Sequence, residues 1–238
     1  MKNALITGAS RGLGLALARK LAEEGWGLVI DARSKQDLEA VHAELSGRNA
    51  GPSGMLTLIA LPGSVTDEKH RQALLDAAQQ LGGLDALINN ASSLGPSPQP
   101  NLFDYPLDVL RDVYETNVVA PLALIQTLKP VLKPGACILN ITSDAGVEPY
   151  AGWGGYGSSK AALEHMSAIL AAESPELHVY WVDPGDMRTQ MQQDAFPGED
   201  ISDRPLPEES VPGLIALLDG MRPSGRYKAR ELASKEGG

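Results

Sequence analysis

The middle of this chain brings together a hydroxyl, a phenol and an amine, at Ser143, Tyr156 and Lys160. Tyr156 and Lys160 are four residues apart, so they share one face of a helix. Ser143 follows the apolar run 137–141, which is typical of a buried strand. A neighbouring ammonium group favours a phenolate and lowers the phenol's pKa from its usual value of about 10. The three side chains could therefore exchange a proton with a carbonyl or an alcohol.

A Tyr-x-x-x-Lys pair alone is also typical of a solvated helix face, so the rest of the chain decides its interpretation. The 238 residues are 43% apolar and 21% charged, near the average for a soluble globular protein and enough for one α/β domain or two small ones. Because the loops are short and the strand–helix pattern is not interrupted, we expect one domain over residues 1–238. The apolar runs are too short to span a bilayer, and a strand pattern begins directly after residues 1–3, without room for a signal peptide. We therefore expect a cytoplasmic protein with no membrane partner.

Charge and side-chain inventory exclude several other classes of function. The net charge of −10 argues against nucleic acid as a partner, because that binding depends on Lys and Arg neutralising phosphates. The single cysteine, Cys137, excludes an internal disulfide and is predicted to be a small buried hydrophobe. No metal-ligand spacing is present, so no metal site is predicted. Each of the four histidines is interpreted as a surface or helix residue; they are His42, His70, His165 and His178.

Strand-like and helix-like patterns alternate along the chain. The pattern predicts strands over 3–7, 28–30, 55–61, 84–88, 136–141, 177–182 and 225–232. It predicts helices over 12–24, 35–45, 67–81, 107–132, 156–172 and 211–221, with Pro121 and Pro130 as breaks in the long one. The segments 49–54, 96–100 and 188–207 are interpreted as loops. Such alternation predicts a doubly wound parallel sheet of about seven strands, with helices on both faces and ligands at the carboxyl ends of the strands.

The segment 7–14 joins the first predicted strand to the first helix and contains Gly8, Gly12 and Gly14. Glycine permits a tight turn and a close backbone approach, and the helix N-terminus offers free N–H groups to a pyrophosphate. The spacing is Gly-x-x-x-Gly-x-Gly, which differs from the commoner dinucleotide fingerprint and from a P-loop. Its position favours phosphate binding over a chance flexible turn.

These motifs occur in an order that resembles the short-chain dehydrogenase/reductase family. The order is the glycine-rich segment 7–14, then 89–91 (Asn-Asn-Ala), Asn117, Ser143, the Tyr156/Lys160 pair and Pro184-Gly185. The likeness extends from residue 3 to about 190. It implies a Rossmann-type sheet, a nicotinamide cofactor and a small carbonyl or alcohol substrate. It also implies a homodimer or homotetramer.

The resemblance implies a role for each matching residue. Tyr156 would exchange the proton, Lys160 would lower the Tyr156 pKa and hold the nicotinamide ribose, Ser143 would hold the carbonyl oxygen, and Asn117 would organise a water that relays protons. The residues expected to bind the cofactor are Gly8, Ser10, Arg11, Gly12, Leu13, Gly14, Arg33, Ser34, Ser64, Val65, Asn90, Ala91, Tyr156, Lys160, Pro184, Gly185, Met187 and Thr189.

Two positions depart from the family pattern. Ser64 stands where the family often has an aspartate that contacts adenine, which puts that contact in doubt, although Val65 could still pack on the ring. Ser92 stands where a glycine usually follows the Asn-Asn-Ala motif. Neither change is expected to touch the chemistry.

Arg33, directly after the second strand, predicts a preference for NADP(H), with NAD(H) possible. A guanidinium there accommodates the 2′-phosphate, whereas an acid binds the 2′-hydroxyl of NAD. The alignment places Ala32 at the position of that acid, and Arg11 could supply a second cation. A shift of one residue would instead place Asp31 there and favour NAD.

The segments 144–155 and 186–207 are expected to form the substrate wall, with the second acting as a lid or a simple connection. Their large apolar residues predict a hydrophobic ketone or aldehyde; they are Tyr150, Trp153, Met187, Met191 and Phe196. Two alternatives remain open. One is an NAD-dependent dehydrogenase of a sugar or steroid alcohol, and the other is a non-catalytic NADP(H)-binding sensor or scaffold.

Overall fold

Seven parallel strands form the sheet in the computed structural model, which describes residues 1–47 and 57–233. The order across the sheet is β3-β2-β1-β4-β5-β6-β7, and the direction of winding reverses between β1 and β4. The predicted doubly wound sheet is therefore confirmed. The strands are β1 (Asn3–Ile6), β2 (Gly27–Ala32), β3 (Leu58–Pro62), β4 (Leu84–Asn89), β5 (Leu132–Ile141), β6 (His178–Asp183) and β7 (Gly225–Lys228).

Helices cover both faces of the sheet. One face packs against α1, α2 and α8, and the other packs against α3, α5 and α6. The helices of the described residues are α1 (Gly12–Glu23), α2 (Lys35–Gly47), α3 (Glu68–Gln80), α4 (Leu107–Tyr114), α5 (Ala120–Leu128), α6 (Gly154–Glu173), α7 (Gln190–Ala195), α8 (Val211–Ile215) and α9 (Ala229–Ala233).

The central strands read as nearly continuous apolar runs because both of their faces are buried. Successive side chains point to opposite faces of a strand. In β1, Ala4 and Ile6 join the core on one face and Leu5 joins the core on the other, and all three are completely buried. Cys137 is buried in β5, as predicted, and burial raises the pKa of its thiol to about 11.

The predicted helix over 107–132 is divided. Between α4 and α5 lies a π-helical turn, Glu115–Val119, and the 3₁₀ turn Lys129–Val131 ends the helix before β5. Pro121 has no N–H, so it cannot donate to the carbonyl of Asn117 four residues earlier, and the ladder is interrupted there. The predicted breaks at Pro121 and Pro130 thus fall beside the two irregular turns.

The C-terminal third differs most from the sequence prediction. A strand over 225–232 is wrong beyond Lys228, because Ala229 and Leu232 are buried at helical spacing on α9. The segment 188–207 contains α7, and regular helix ends at Ile215 in the predicted 211–221. The predicted 49–54 turn and the start of the predicted third strand at 55–56 lie outside the described residues. None of the described helices is long and apolar enough to cross a membrane.

A chain of buried amides and hydroxyls fastens α6 to the sheet. The Asn89 side-chain Nδ2 donates to Asn140 Oδ1 at 2.8 Å, and Asn140 Nδ2 donates to Ser167 Oγ at 2.8 Å. The Ser167 hydroxyl in turn donates to the Leu163 carbonyl at 2.7 Å. Each polar group thus has a partner in a place without water, which fixes the rotation and height of α6 on the strands.

Replacing Asn140 with alanine should destabilise the protein by roughly 2–4 kcal/mol, because it leaves the buried Asn89 amide without its acceptor. Ser167→Ala should cost less, about 1–2 kcal/mol, because it leaves only the Asn140 Nδ2 without its acceptor, whereas Asn140→Ala breaks both bonds of Asn140. Urea denaturation of the two variants measures both values. Equal losses of unfolding free energy in the two variants would contradict this account of the network.

Candidate active site

A cleft of about 380 Å³ opens at the carboxyl ends of the strands, where the winding reverses between β1 and β4. Loops after β1, β2, β3, β4, β5 and β6 contribute to its walls. In an open parallel sheet this crevice is the place where ligands bind, because the loops on its two sides diverge from each other there. The cleft therefore gathers the polar motifs that are far apart in the sequence.

The glycine-rich loop forms one end of the cleft. Helix α1 begins at Gly12, and no side chain caps it at Arg11, whereas Asp67 caps α3 by accepting from the Lys69 N–H at 2.8 Å. A Cβ on Gly14 would lie 2.4 Å from the Gly8 carbonyl oxygen, so only glycine fits this turn. A helix start without a side-chain cap, reached by close-packed backbone, fits a phosphate group.

Asp31, at the end of β2, borders the cleft, but both of its carboxylate oxygens are engaged inside the protein. Its carboxylate accepts from the Gly8 N–H at 2.8 Å and lies 3.0 Å from His70 Nε2. The side chain is only 2% exposed, and this burial raises the pKa of Asp31. His70 is thus a helix residue, as expected, but it is buried and paired. Arg33 is exposed and lines the cleft two residues further on.

Lys160 and Tyr156 lie at the other end of the cleft, on the first turns of α6. The Lys160 amine donates to the Ile141 carbonyl at the end of β5, at 2.7 Å, and lies 5.4 Å from the centre of the Tyr156 ring. Lys160 is 2% exposed, and burial lowers the pKa of its amine to about 7. Burial likewise raises the pKa of the Tyr156 phenol. The lowering of the Tyr156 pKa expected from a Lys160 cation is not found, because desolvation is the larger effect here.

Ser143 lies at the end of β5 beside the phenol. Its hydroxyl donates to Asp144 Oδ1 at 3.0 Å and accepts from the Ala145 N–H at 3.2 Å. A hydrogen bond with Ser143 opposes the rise in the Tyr156 pKa, while the nearby Asp144 carboxylate adds to that rise. The Tyr150 hydroxyl donates to the other Asp144 oxygen at 3.0 Å. Asp144 therefore orients both a hydroxyl at the phenol and a ring at the mouth of the cleft.

Asn117, in the π-helical turn, has every side-chain hydrogen-bonding position filled by protein. Its Oδ1 accepts from the Ser93 N–H at 2.8 Å and from the Ser92 hydroxyl at 3.1 Å. Its Nδ2 donates to the Ser93 carbonyl and to Ser159 Oγ, both at 2.9 Å. Asn117 thus ties the loop after β4 to α6, and its side chain is fully used by these protein contacts rather than by the water predicted from the sequence.

Ser92 corrects one expectation. Its hydroxyl bonds Asn117 and also lowers the pKa of Tyr156. The departure from glycine at this position therefore does touch the residues of the predicted chemistry, contrary to the sequence-based expectation. A glycine there would remove a polar group from the surroundings of the phenol.

Aromatic side chains cover the phenol from the solvent side. The Trp153 ring centre lies 5.8 Å from that of Tyr156 and 5.9 Å from that of Phe196. Tyr150 packs on the outer side of Trp153 at 6.5 Å. Leu94, Ala145, Met191 and Ala195 complete this apolar cluster. The predicted wall residues therefore meet over Tyr156, except Met187, which packs against the main core.

The cofactor residues predicted from the sequence line this one cleft, apart from Gly14 and Gly185, which lie behind it. Ser143 and Asn117 adjoin it without lining it. Sequence reasoning missed several neighbours of the Tyr156–Lys160 pair because they carry no motif and, apart from Glu164 on α6 itself, come from other parts of the chain. They are Thr142, Glu164, Asp183 and Arg226.

Comparison with known proteins gives the same family from three directions. A family model described as short chain dehydrogenase matches residues 2–200. The chain is 32% identical to a benzil reductase ((S)-benzoin forming) of Saccharomyces cerevisiae over 200 residues, which is 80% of this chain and 73% of the yeast protein. It is 30% identical over 235 residues to tropinone reductase-like 3 of Erythroxylum coca, covering 98% and 88% of the two chains.

A solved structure shares the whole fold. It is an Escherichia coli CFT073 protein assigned to the short chain dehydrogenases and complexed with NADPH. The TM-score is 0.85 at 28% sequence identity, and the match covers 96% of each chain.

Lys160→Met should stabilise the protein at pH 6 by roughly 2–4 kcal/mol, because it removes an amine whose charge is disfavoured by burial. The Lys160 pKa is depressed, so between about pH 7 and 10.5 the unfolded chain binds a proton that the folded chain lacks. The destabilisation of the wild-type protein by its buried Lys160 amine is therefore at its full size below pH 7, and it disappears as the pH approaches 10.5.

Thermal unfolding of wild type and Lys160→Met between pH 6 and 10 measures this. The melting temperature of the variant should lie above that of wild type at pH 6, and the difference should shrink with rising pH. The matched control is Lys20→Met, a change on the exposed face of α1 that should show no such trend. If the difference in melting temperature between wild type and Lys160→Met stays constant with pH, the lowered pKa of Lys160 is refuted.

Proposed function

The chain belongs to the short chain dehydrogenase family of oxidoreductases, and on that premise we propose that it is an NADPH-dependent carbonyl reductase acting on small hydrophobic ketones or aldehydes. The observation that supports this best is the buried Tyr156–Lys160 pair, with the Ser143 hydroxyl beside the phenol, at one end of a cleft whose other end is an uncapped helix start. A protein that only senses a cofactor has no need of a phenol desolvated in this way.

Residues of the cleft fit a nicotinamide dinucleotide. The backbone N–H groups at the start of α1 would hold its pyrophosphate, and Lys160 would bind the nicotinamide ribose. Val65 would pack on the adenine ring, while the loop after β6 would contact the nicotinamide amide. When bound, this cofactor supplies or accepts the hydride.

Tyr156 is suited to give a proton. Burial raises its pKa, so the phenol remains protonated at neutral pH and can donate to an oxygen that becomes an alkoxide. Ser143 would donate a second hydrogen bond to the same oxygen. The Lys160 amine, with its pKa near 7, can be charged or neutral at working pH, and its charged form stabilises the phenolate left after transfer. These protonation states favour the reductive direction at neutral pH.

The aromatic cover over Tyr156 supports a hydrophobic substrate. Trp153 and Phe196 leave an apolar surface next to the proton donor, which disfavours small, strongly hydrated ketones. The yeast relative is a benzil reductase, and benzil is an aromatic diketone. A sugar or steroid alcohol oxidised with NAD is the second candidate, and the assay below separates the two.

The proposed preference for NADPH over NADH follows from the charged groups that the cleft offers to the ribose. Both Asp31 oxygens are engaged by Gly8 and His70, so no free carboxylate is offered to a ribose 2′-hydroxyl. Arg33 and Arg11 line the cleft and supply two cations for a 2′-phosphate. The Escherichia coli structure complexed with NADPH supports the same choice.

An assembly of two or four copies is part of the proposal. Val119, at the end of the π-helical turn before α5, and Ile169, on α6, are both nearly half exposed. These apolar side chains are suited to a helix-to-helix contact across a two-fold axis.

The proposal is tested by NADPH oxidation at 340 nm against aldehydes, aromatic diketones, keto esters and small hydrophilic ketones. We expect turnover to be fastest with aromatic carbonyl compounds. Tyr156→Phe should lose at least about 1000-fold in kcat yet bind NADPH with unchanged affinity, because it removes only the proton donor. Turnover with NADH and alcohols alone would point to the dehydrogenase, and a fully active Tyr156→Phe would overturn the mechanism.

Arg33→Ala should raise the Kd for NADPH by about 10–100-fold and leave the Kd for NADH nearly unchanged, since only NADPH has the 2′-phosphate. Cofactor fluorescence titration measures both constants. Lys35→Ala is the matched control, because Lys35 is an exposed cation two residues further along that is paired with Glu39. Equal weakening of the two cofactors by Arg33→Ala would show that another group reads the phosphate.

A further inference from the structure

Arg226, on the last strand, reaches the back of the candidate catalytic centre. It lies beyond residues 2–200, where the family model matches, and its side chain is three-quarters buried. The guanidinium Nε lies 3.0 and 3.1 Å from the two oxygens of Glu164. Nη2 lies 3.3 Å from the Ser143 carbonyl oxygen and 3.5 Å from Asp183 Oδ2. One side chain thus joins β5, β6 and α6.

Each residue that Arg226 contacts is connected to a residue or a loop of the candidate active site. Glu164 is one helical turn after Lys160 and accepts from the Thr142 hydroxyl at 2.8 Å. Asp183 accepts from the Gly185 N–H at 2.8 Å and so holds the loop after β6. The Ser143 carbonyl belongs to the residue whose hydroxyl lies beside the phenol. A planar fork with several donors can hold such divergent acceptors at once, which an ammonium cannot.

The charges around the Tyr156–Lys160 pair are unbalanced without Arg226. The acidic groups that face the pair are Glu164 on α6, Asp144 after β5 and Asp183 at the end of β6. The Glu164 carboxylate raises the pKa of Lys160, and Asp144 and Asp183 raise the pKa of Tyr156. Arg226 is the cation in contact with two of these three carboxylates.

We propose that Arg226 is a positioning residue for the oxidoreductase reaction, one that fixes the Ser143 and Gly185 backbones against α6 and neutralises the acidic groups behind the Tyr156–Lys160 pair. This inference rests on the proposed function for its effect on turnover. Its effect on the titration of Lys160 depends only on the contacts described here.

Removal of the Arg226 charge should change the pKa of Lys160 in one direction. Glu164 and Asp183 lose their counter-charge in Arg226→Gln, and both then favour protonated forms of their neighbours. The pKa of Lys160 should rise by roughly half to one unit, and the pH profile of kcat should shift in the alkaline direction with it. Glu164→Gln added to Arg226→Gln removes both charges and should return the Lys160 titration close to that of wild type.

The titration is followed by the 13Cε chemical shift of Lys160 in protein labelled with 13C-lysine, assigned with Lys160→Met. Arg226→Lys retains the charge but not the fork, so it should keep the Lys160 titration while lowering kcat more than it changes KM. Lys228→Gln is the control, because it removes the same charge from an exposed position on the same strand. It should alter neither the titration nor the profile.

Two results would overturn the proposal. In the first, Arg226→Gln lowers the melting temperature but leaves the Lys160 titration unchanged, which is the outcome of a purely structural role. In the second, Lys228→Gln shifts the titration as much as Arg226→Gln, which is a general effect of net charge. If wild type reduces no carbonyl compound with NADPH, the proposed function fails, while the Lys160 titration still decides the role of Arg226.

Discussion

The burial of one amine governs the arrangement of the site. Lys160 is placed inside the protein with its Nζ 2.7 Å from the Ile141 carbonyl oxygen, and desolvation brings its pKa down to about 7. A group in this condition is costly for the fold, so its neighbours must hold it firmly. Ser143 follows two residues after the strand that provides this carbonyl, and Arg226 contacts the Ser143 carbonyl. The helix that provides Lys160 is fastened below by Ser167 and above by Ser159.

Two series of hydrogen bonds run from α6 in opposite directions and hold the site in place. The lower chain passes through Asn140 to Asn89 and ends in the sheet. The upper chain passes through Asn117 to the loop after β4, and it depends on the π-helical turn that brings the Asn117 side chain inward. Both chains are buried and fully bonded, so they specify one position of α6 where apolar packing alone would tolerate small displacements.

The sequence predicted the parts of the site that depend on local spacing. The four-residue interval of Tyr156 and Lys160, the strand–glycine–helix order and the strand alternation all follow from periodicity within about twenty residues. The contacts that shift the pKa values of the site residues do not follow from such local periodicity. Arg226 and Glu164 are 62 residues apart, and His70 and Asp31 are 39 residues apart. Neither pair has a spacing that marks it, because strand order across a sheet is set by the whole chain.

Even the local errors have physical causes. The run 225–232 is too short for its pattern to separate a strand from a strand followed by a short helix, and the packing of Ala229 and Leu232 in the core beside α8 selects the helix. The expected lowering of the Tyr156 pKa considered only the charge of Lys160 and not the burial of either group. In the structure both groups are buried, and desolvation acts on each of them more strongly than they act on each other.

The proposed binding of a dinucleotide phosphate by an acidic chain depends on how the carboxylate at the end of β2 is used. Asp31 is the closest carboxylate in sequence to Arg33, the residue proposed to bind the 2′-phosphate, and a free charge there would oppose that phosphate. The Asp31 carboxylate instead accepts from the Gly8 N–H and pairs with His70, so it holds the first glycine of the loop after β1 in place. The same logic applies behind Tyr156, where Arg226 binds Glu164 and Asp183. In both places a buried acid organises the backbone through its hydrogen bonds, Asp31 at the Gly8 N–H and Asp183 at the Gly185 N–H.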